Sequence, residues 1–138
     1  MCDDLKNAVS LLESGNHTCV FYQGQAFWTD DRRGIRPLLE LLESDQDVAG
    51  FSAADRVVGK AAAFLYCLLG VHSVYAKVIS TPALQVLQSC GIDTYYDTQV
   101  NAIRNRTGDG FCPMETAVWN LNSPEKAPDA IREALRKL

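Results

Sequence analysis

The chain of 138 residues has the length of one ordinary domain. Its 47% hydrophobic and 22% charged side chains are typical of a globular protein rather than of a disordered tail. The 13 basic and 17 acidic side chains give a formal net charge of −4, which argues against the basic field that broad, sequence-blind binding of nucleic acid requires. We therefore expect a single domain over residues 1–138 without broad affinity for nucleic acid.

Cysteine usage and the absence of long apolar runs bear on location. The five cysteines are irregularly spaced and form no Cys-x-x-Cys pair, so they predict neither a disulfide framework nor a four-thiolate zinc site. Free thiols are typical of a reducing compartment. Residues 1–6 lack the apolar stretch of a signal peptide, and the longest apolar run, 61–71, is shorter than the roughly 18 residues of a membrane-spanning helix. We predict a cytoplasmic protein without a membrane segment.

Hydrophobic periodicity divides the chain into helices and strands. Apolar residues at i, i+3, i+4 and i+7 predict surface helices, which cover 5–12, 35–42, 114–121 and 131–138. A β-hairpin is predicted over 18–27, with its turn at Gln23-Gly24. Two further strands, at 72–79 and 92–96, flank a short helix that begins at Thr81-Pro82. Residues 52–69 are apolar on nearly every side and predict one long buried helix.

In this order strands alternate with crossover helices. Such alternation argues for an α/β fold with a partly parallel sheet that is covered on both faces. The predicted hairpin adds antiparallel pairing, so the sheet is expected to be mixed and to open with that hairpin.

The start of the predicted buried helix carries the first candidate residues. Ser52 followed by Asp55 resembles a capping box, which is the common structural role of such a serine. On a helix, Ser52, Arg56 and Lys60 share one face, and two neighbouring cations there require carboxylate partners or an anion bound in a cleft. Gly59 inside a helix indicates that another group approaches the backbone closely. Lys60 is therefore either a ligand-binding residue or half of a structural ion pair.

The second candidate region precedes the helix predicted from residue 114. Pro113 suits the first helical position, which places Cys112 at the N-cap and Glu115 in the first turn. The amides of a helix N-terminus stabilise a thiolate, so Cys112 is the best candidate nucleophile among the five cysteines. The alternative is that Cys112 is a small buried hydrophobic residue.

A polar, glycine-containing loop at 105–110 leads to this helix start. Backbone amides in such a loop offer hydrogen bonds to an anion. Asn105, Gly108, Asp109 and Gly110 are therefore candidate ligand-binding residues.

Both regions resemble blocks of a known protein family. Gly-Phe-Ser-Ala-Ala-Asp at 50–55 and Gly-Asp-Gly-Phe-Cys-Pro-Met-Glu at 108–115 are similar to the corresponding strings of a small bacterial and archaeal family of unassigned function. That family has the fold of the cytidine deaminase superfamily, and the resemblance extends over nearly the whole chain. It implies a three-layer α/β/α sandwich in which the two helix starts meet at one pocket.

The chain departs from true deaminases at the zinc ligands. Deaminases hold zinc with a His or Cys two residues before a catalytic Glu, and with two cysteines of a Pro-Cys-x-x-Cys helix start. Here residues 52–55 contain neither imidazole nor thiol, and the second region keeps Cys112 but has Glu115 in place of the other thiol. One thiol with scattered carboxylates does not make a tetrahedral zinc site, so we predict no metal and no cofactor.

Three functions are compatible with these residues. The leading hypothesis is a pocket for a nucleotide-like or other phosphorylated small molecule, whose phosphate lies at the two helix starts, near Lys60 and the 108–110 loop. Ser52 is a further candidate ligand-binding residue. An alternative is a zinc-independent enzyme with Cys112 as nucleophile and Asp55 or Glu115 as proton carrier. The third is a structural or interaction protein. A homo-oligomer is compatible with each of the three.

Overall fold

A five-stranded sheet forms the centre of the protein, in a computed structural model that describes residues 1–105, 107–108 and 110–138. The helices and strands, in chain order, are α1 Asp3–Ser14, β1 Cys19–Gln23, β2 Ala26–Asp30, α2 Arg36–Glu43, β3 Ser52–Val58, α3 Lys60–Leu69, β4 Ser73–Ser80, α4 Thr81–Ser89, β5 Asp93–Val100, α5 Pro113–Val118 and α6 Ala127–Arg136. A short 3-10 turn, Pro124–Lys126, precedes α6. No helix in the described part of the chain is long and apolar enough to cross a membrane.

The sheet is mixed, with the strand order β2-β1-β3-β4-β5. β1 pairs antiparallel with β2 and with β3, whereas β3, β4 and β5 run parallel. Gly24 has a φ of +60° in the turn between β1 and β2, a conformation that glycine adopts at little cost. The α/β class and the antiparallel hairpin are therefore confirmed.

Alternate strand residues pack against helices on opposite faces of the sheet, as the strand period of two requires. On one face α1 covers β1 and β3, and the buried residues of this small cluster are Leu5, Ala8, Leu12, Val20, Ala54 and Tyr75. The larger core lies on the other face, where α2, α3 and α4 pack, and it includes Phe21, Ala53, Val74 and Ala76. α5 and α6 pack against α3.

The prediction of one helix over 52–69 is wrong. Ser52–Val58 is the central strand β3, and α3 begins at Lys60. A strand buried on both faces of a parallel sheet has a continuous apolar sequence, which periodicity cannot distinguish from a buried helix. The capping box of Ser52 with Asp55 and the shared helical face of Ser52, Arg56 and Lys60 are consequently wrong as well.

Two cysteines predicted to be free form a disulfide. α3 and α4 pack side by side and bring the Cα atoms of Cys67 and Cys90 to 6.1 Å, within the usual range for a bridged pair. Cys2, Cys19 and Cys112 are free. The spacing of Cys67 and Cys90 along the chain does not indicate the pair, because their proximity depends on how the two helices pack.

Candidate binding pocket at the carboxyl end of strand β3

A cavity of about 460 Å³ opens where β3 ends and α3 begins. Its wall is built from the start of β1, the segment after β2, the end of β3, and the starts of α2, α3 and α5, together with residues 103–104. Ligands of open α/β sheets bind outside the carboxyl ends of parallel strands. The cavity therefore lies where the topology of the sheet favours a binding site.

The carboxylate of Glu115 closes one side of this cavity. Its side chain is 3% exposed, and its two oxygens accept hydrogen bonds from the backbone amides of Lys60 at 2.7 Å and Ala61 at 3.0 Å. These amides belong to the first turn of α3, whose N-terminus stabilises negative charge. Glu115 lies in the first turn of α5, as predicted, and it links the starts of the two helices.

Gly59 makes room for that carboxylate. A Cβ atom at Gly59 would lie 2.5 to 2.7 Å from the carboxylate atoms of Glu115, closer than any real Cβ contact. The expectation that a group approaches the backbone at Gly59 is therefore confirmed. The group is the protein's own carboxylate, and Gly59 is the N-cap of α3 rather than an interior helical residue.

Asp55 forms a different kind of acidic group in the same cavity wall. Its Oδ2 accepts a hydrogen bond of 2.6 Å from the Tyr66 hydroxyl, and Tyr66 Oη lies 3.3 Å from Cys19 Sγ. Burial raises the pKa of Asp55 to about 6, against the lowering effect of the Tyr66 hydrogen bond. Asp55 therefore changes its charge close to neutral pH.

Two of the four arginines in the cavity wall are committed to other groups. Arg32 pairs with Asp30 and with Glu40, each at 2.8 Å. Arg56 donates to the main-chain carbonyls of residues 12, 15 and 17 at 2.7 to 3.2 Å, and these carbonyls lie at the carboxyl end of α1 or just beyond it. Arg56 therefore stabilises the end of a helix.

The other two arginines, Arg33 and Arg104, are exposed at the rim. Neither forms an ion pair with any residue that the structure describes. The guanidinium of Arg104 lies 5.2 Å from the ring centre of Phe111, and Phe111 stacks on Trp119. The rim thus presents two cations to a molecule that enters the cavity.

Cys112 lies at the N-cap of α5, as predicted, and its half-buried side chain lines the cavity. The rest of the floor is largely apolar, with contributions from Ile35, Pro37, Leu38, Ala61, Ala62, Ile103 and Met114. Such a floor suits the uncharged part of an organic ligand.

Ser52 and Lys60 do not line the cavity. Ser52 is buried at the other end of β3, where its hydroxyl lies 2.7 Å from that of Ser73 and 3.4 Å from Cys2 Sγ. The ammonium of Lys60 donates to the main-chain carbonyl of Trp119 at 2.8 Å. Lys60 contributes a backbone amide to the binding of Glu115 rather than a free charge to the cavity.

The described candidate residues of the predicted anion loop, Asn105, Gly108 and Gly110, do not line the cavity. The amide of Asn105 donates to the carbonyl of Gly110 at 2.9 Å, and the amide of Gly108 donates to the carbonyl of Asn105 at 3.1 Å. These two amides are therefore used within the loop. Asp109 lies outside the described residues.

Cys19, Tyr66, Arg33 and Arg104 are cavity or supporting residues that the sequence analysis missed. Cys19 pairs in register with Asp55 across β1 and β3, which could be found only once residues 52–58 were recognised as a strand. The adjacent Arg32 and Arg33 were a visible signal of local positive charge in the sequence, but the preceding Asp30 and Asp31 obscured it.

The zinc site of deaminases does not fit these residues. Both oxygens of Glu115 are engaged by α3 amides, and Cys112 is the thiol available beside it. Within residues 1–105, 107–108 and 110–138, no group of three or more His, Cys, Asp or Glu side chains is arranged to hold a metal ion. The donor set supplies no tetrahedral site.

The fold is an α/β fold with a five-stranded mixed sheet and a cavity at the end of β3. A family model described as TM1506, domain of unknown function (DUF1893), matches residues 7–135. The chain therefore belongs to the DUF1893 family, in agreement with the resemblance to a family of unassigned function.

A solved relative supports this assignment. The structure is similar to the crystal structure of a DUF1893 family protein (TM1506) from Thermotoga maritima, with a TM-score of 0.86 and 28% sequence identity. The match covers 100% of this chain and 92% of that chain. No curated protein matches the sequence.

Proposed function

We propose that the protein binds a nucleotide-like or other phosphorylated small molecule in the β3 cavity. The observation that carries the proposal is the pair of rim arginines, Arg33 and Arg104, above a largely apolar cavity whose wall contains Asp55. Guanidinium groups bind phosphate through charge-assisted hydrogen bonds. The apolar floor would receive a ring or sugar, and Asp55 would accept a hydrogen bond from a ligand hydroxyl or amino group.

The proposed position of the phosphate is at the rim rather than at the start of α3. Glu115 already occupies the α3 amides, and a second anion beside that carboxylate would be repelled. Lys60 faces the carbonyl of Trp119. The proposal therefore depends on Arg33 and Arg104, and no longer on Ser52 or Lys60.

We also propose that the fold is a cytidine deaminase-like fold without zinc. The contact of Glu115 with the amides of Lys60 and Ala61 supports this, because it joins the starts of α3 and α5 at one cavity, as the resemblance implies. The block at 52–55 that resembles the first deaminase motif lies on β3 rather than at a helix start. The cytoplasmic location stays a prediction. It was based on free thiols, and the Cys67–Cys90 disulfide removes part of that basis.

Thermal unfolding with and without ligand tests the binding proposal. The ligands are adenosine and cytidine mono- and diphosphates, with inorganic phosphate as a separate probe. A ligand at about 100 times its Kd stabilises the folded state by about 2.7 kcal/mol, so a nucleotide should raise the Tm of the wild-type protein. Arg33→Ala combined with Arg104→Ala should abolish the increase.

Arg136→Ala is the matched control, because Arg136 is an exposed arginine on α6 that does not line the β3 cavity. This variant should retain the full increase in Tm. The proposal is wrong if no nucleotide shifts the wild-type Tm, or if the double variant responds as the wild type does.

A second candidate function is thiol-dependent catalysis, which is favoured by the presence of Cys112 and Asp55 in the same cavity wall. In such a reaction Asp55 would accept the thiol proton of Cys112, and the thiolate would add to a carbonyl carbon of the substrate while the C=O π electrons move to the carbonyl oxygen. Glu115 is unsuited to that role because both of its oxygens bind backbone amides.

Brief alkylation with iodoacetamide, followed by peptide mapping, tests this function. Cys112 should react near neutral pH and be protected by a cavity ligand, whereas Cys19 should react slowly, because burial raises its pKa well above the usual value.

Cys2 lies at the N-cap of α1. Burial raises the pKa of Cys2, but the Ser52 hydrogen bond and other hydrogen bonds lower it overall. Cys2 is therefore a reactive reference outside the cavity. If Cys112 is modified only after unfolding, it is a packing residue and the thiol mechanism is excluded.

A further inference from the structure

β5 forms one edge of the sheet. β5 has eight residues and pairs with β4 on one side, and no residue that the structure describes pairs with its other side. Most of its side chains are exposed, including Tyr95 at 37% and Tyr96 at 41%. A long, exposed edge strand rich in Thr and Tyr is a template for pairing with another strand.

The hydrogen-bonding direction of each β5 residue follows from the register with β4. The amide of Asp93 donates to the carbonyl of His72 at 3.3 Å, so Asp93 directs its backbone groups toward β4. Alternate residues of a parallel strand bond to the same neighbour, and the register stays constant from Asp93 to Val100. Thr94, Tyr96 and Thr98 therefore direct their amides and carbonyls outward.

We propose that β5 pairs antiparallel with β5 of a second copy of this chain, about a two-fold axis at Tyr96, so that the sheet continues through both copies. The outward groups of Tyr96 then bond to those of the partner's Tyr96, and those of Thr94 bond to the partner's Thr98. The three hydrogen-bonded pairs supply roughly six interchain hydrogen bonds. This interface is independent of the proposed ligand cavity.

The charges on β5 select this register. With the axis at Tyr96, Asp97 lies opposite the partner's Tyr95, and Asp93 lies opposite the partner's Gln99, so each carboxylate faces a neutral side chain. Directly opposed like charges destabilise a pair of strands. No carboxylate is opposed by another in this register, while the pairing extends over the full strand.

The neighbouring registers oppose carboxylates. With the axis at Tyr95, Asp93 lies opposite the partner's Asp97. With the axis at Asp97, the two copies of Asp97 face each other. An axis at Tyr96 is therefore the one of these three that opposes no two carboxylates, and it lets the two β5 strands pair over their full length.

β5 is a better pairing edge than β2, the strand at the opposite edge of the sheet. β2 has five residues and leads directly into Arg32 and Arg33 of the candidate cavity, so a partner there would crowd the cavity entrance. β5 is longer, and the β3 cavity has no lining residue from it.

Sedimentation velocity and light scattering across a dilution series test the proposal with matched variants of exposed aromatic residues. Tyr95→Asp places a carboxylate opposite the partner's Asp97, twice per dimer by symmetry, whereas Tyr95→Lys places an ammonium there. Phe27→Asp introduces the same charge at an exposed aromatic residue of β2. The wild type and Phe27→Asp should be dimeric with equal Kd, Tyr95→Asp should raise the Kd about tenfold or more, and Tyr95→Lys should leave it equal or lower.

Amide hydrogen exchange gives a readout that needs no variant. The amides of Thr94, Tyr96 and Thr98 should lose protection on dilution to the monomer, while those of Tyr95 and Asp97 stay protected by β4. The proposal is overturned if the wild type is monomeric at about 500 µM, if Tyr95→Asp and Tyr95→Lys dimerise equally, or if Phe27→Asp is the variant that dissociates.

Discussion

Asp55 and Glu115 line the same cavity, but the hydrogen bonds that their carboxylates accept differ in number and kind. Glu115 has an amide donor on each carboxylate oxygen and the N-terminus of α3 behind those donors. Asp55 has the hydroxyl of Tyr66 and a long contact with the Val57 amide, and its burial raises its pKa to about 6. Hydrogen bonds within the fold compensate the charge of Glu115, whereas burial disfavours the charged form of Asp55.

This difference identifies Glu115 as a structural carboxylate and supports the proposal that Asp55 contacts the ligand. A buried group whose charge is compensated stabilises the fold, and removing its partner is costly. A carboxylate in a cleft whose pKa is raised toward neutral pH is typical of functional sites.

Glu115→Gln should have the largest effect on stability. The glutamine NH2 would face an α3 amide, leaving a buried donor without an acceptor, and the charge at the helix N-terminus would be lost. We expect a loss of about 3 to 4 kcal/mol in the free energy of unfolding, measured by urea denaturation at pH 7. Glu125→Gln, at an exposed glutamate, should change it by less than about 0.5 kcal/mol. A loss below about 1 kcal/mol for Glu115→Gln would contradict the structural role of Glu115.

Removal of the Cys67–Cys90 disulfide should have the next largest effect on the free energy of unfolding. This bond attaches the C-terminal part of α3 to the end of α4, whereas Glu115 binds the start of α3. The two cysteines are 23 residues apart, and closing a loop of that length stabilises the folded state by about 3 kcal/mol in the chain-entropy treatment. Cys67→Ala with Cys90→Ala should lower the free energy of unfolding by that amount. A reductant should destabilise the wild type and leave the double variant unchanged; equal sensitivity of the two proteins would show that the bond is not formed.

Asp55→Asn should stabilise the protein at pH 7. Because the pKa of Asp55 is raised from about 4 to about 6, the folded state binds more protons than the unfolded state between these pH values, and wild-type stability falls as pH rises through that window. Asparagine can still accept the Tyr66 hydrogen bond without carrying the charge. We expect a gain of about 2 kcal/mol at pH 7 and little gain at pH 4.

Urea denaturation of Asp55→Asn and the wild type at several pH values between 4 and 7 measures this difference. Asp97→Asn is a suitable control, since Asp97 also accepts a tyrosine hydroxyl, that of Tyr75 at 2.7 Å, but lies on β5. If Asp55→Asn and the wild type show parallel stability curves, Asp55 is not the titrating group.

Lys60→Met should have the smallest effect. The ammonium of Lys60 donates to one carbonyl at the exposed end of α5 and lies 5.6 Å from the ring centre of Phe64. These exposed interactions together contribute about 1 kcal/mol. The nucleotide-induced increase in Tm should persist in this variant, measured beside the wild type. Loss of that increase would return Lys60 to the ligand site and would contradict the assignment to Arg33 and Arg104.

The sequence predicted those parts of the fold that rest on local patterns. The amphipathic spacing located α1, α2 and α6, the Gln23-Gly24 turn located the hairpin, and Pro113 located the start of α5. β3 was misassigned because its small apolar residues lie between two strands and two helical layers, where neither face shows the polar alternation of an exposed strand.

The candidate site was predictable only where one segment carried enough information. Cys112, Asp55 and Glu115 do line one cavity, and Gly59 does mark a close approach. Arg33 and Arg104 reach the rim from distant segments, and the Cys67–Cys90 pair depends on how α3 packs on α4. Such placements follow from tertiary packing, which no local spacing encodes.

Gly59 and Glu115 also constrain how this sequence can diverge. A methyl group at residue 59 would collide with the carboxylate at residue 115, so a side chain at the first position requires either that this carboxylate leave the α3 amides or that the second residue become shorter. The two positions should therefore vary together among relatives, and a double-mutant cycle of Gly59→Ala with Glu115→Ala should be strongly non-additive. In evolutionary terms, a substitution at either residue is tolerated most easily together with a substitution at the other, although the two are far apart in the chain.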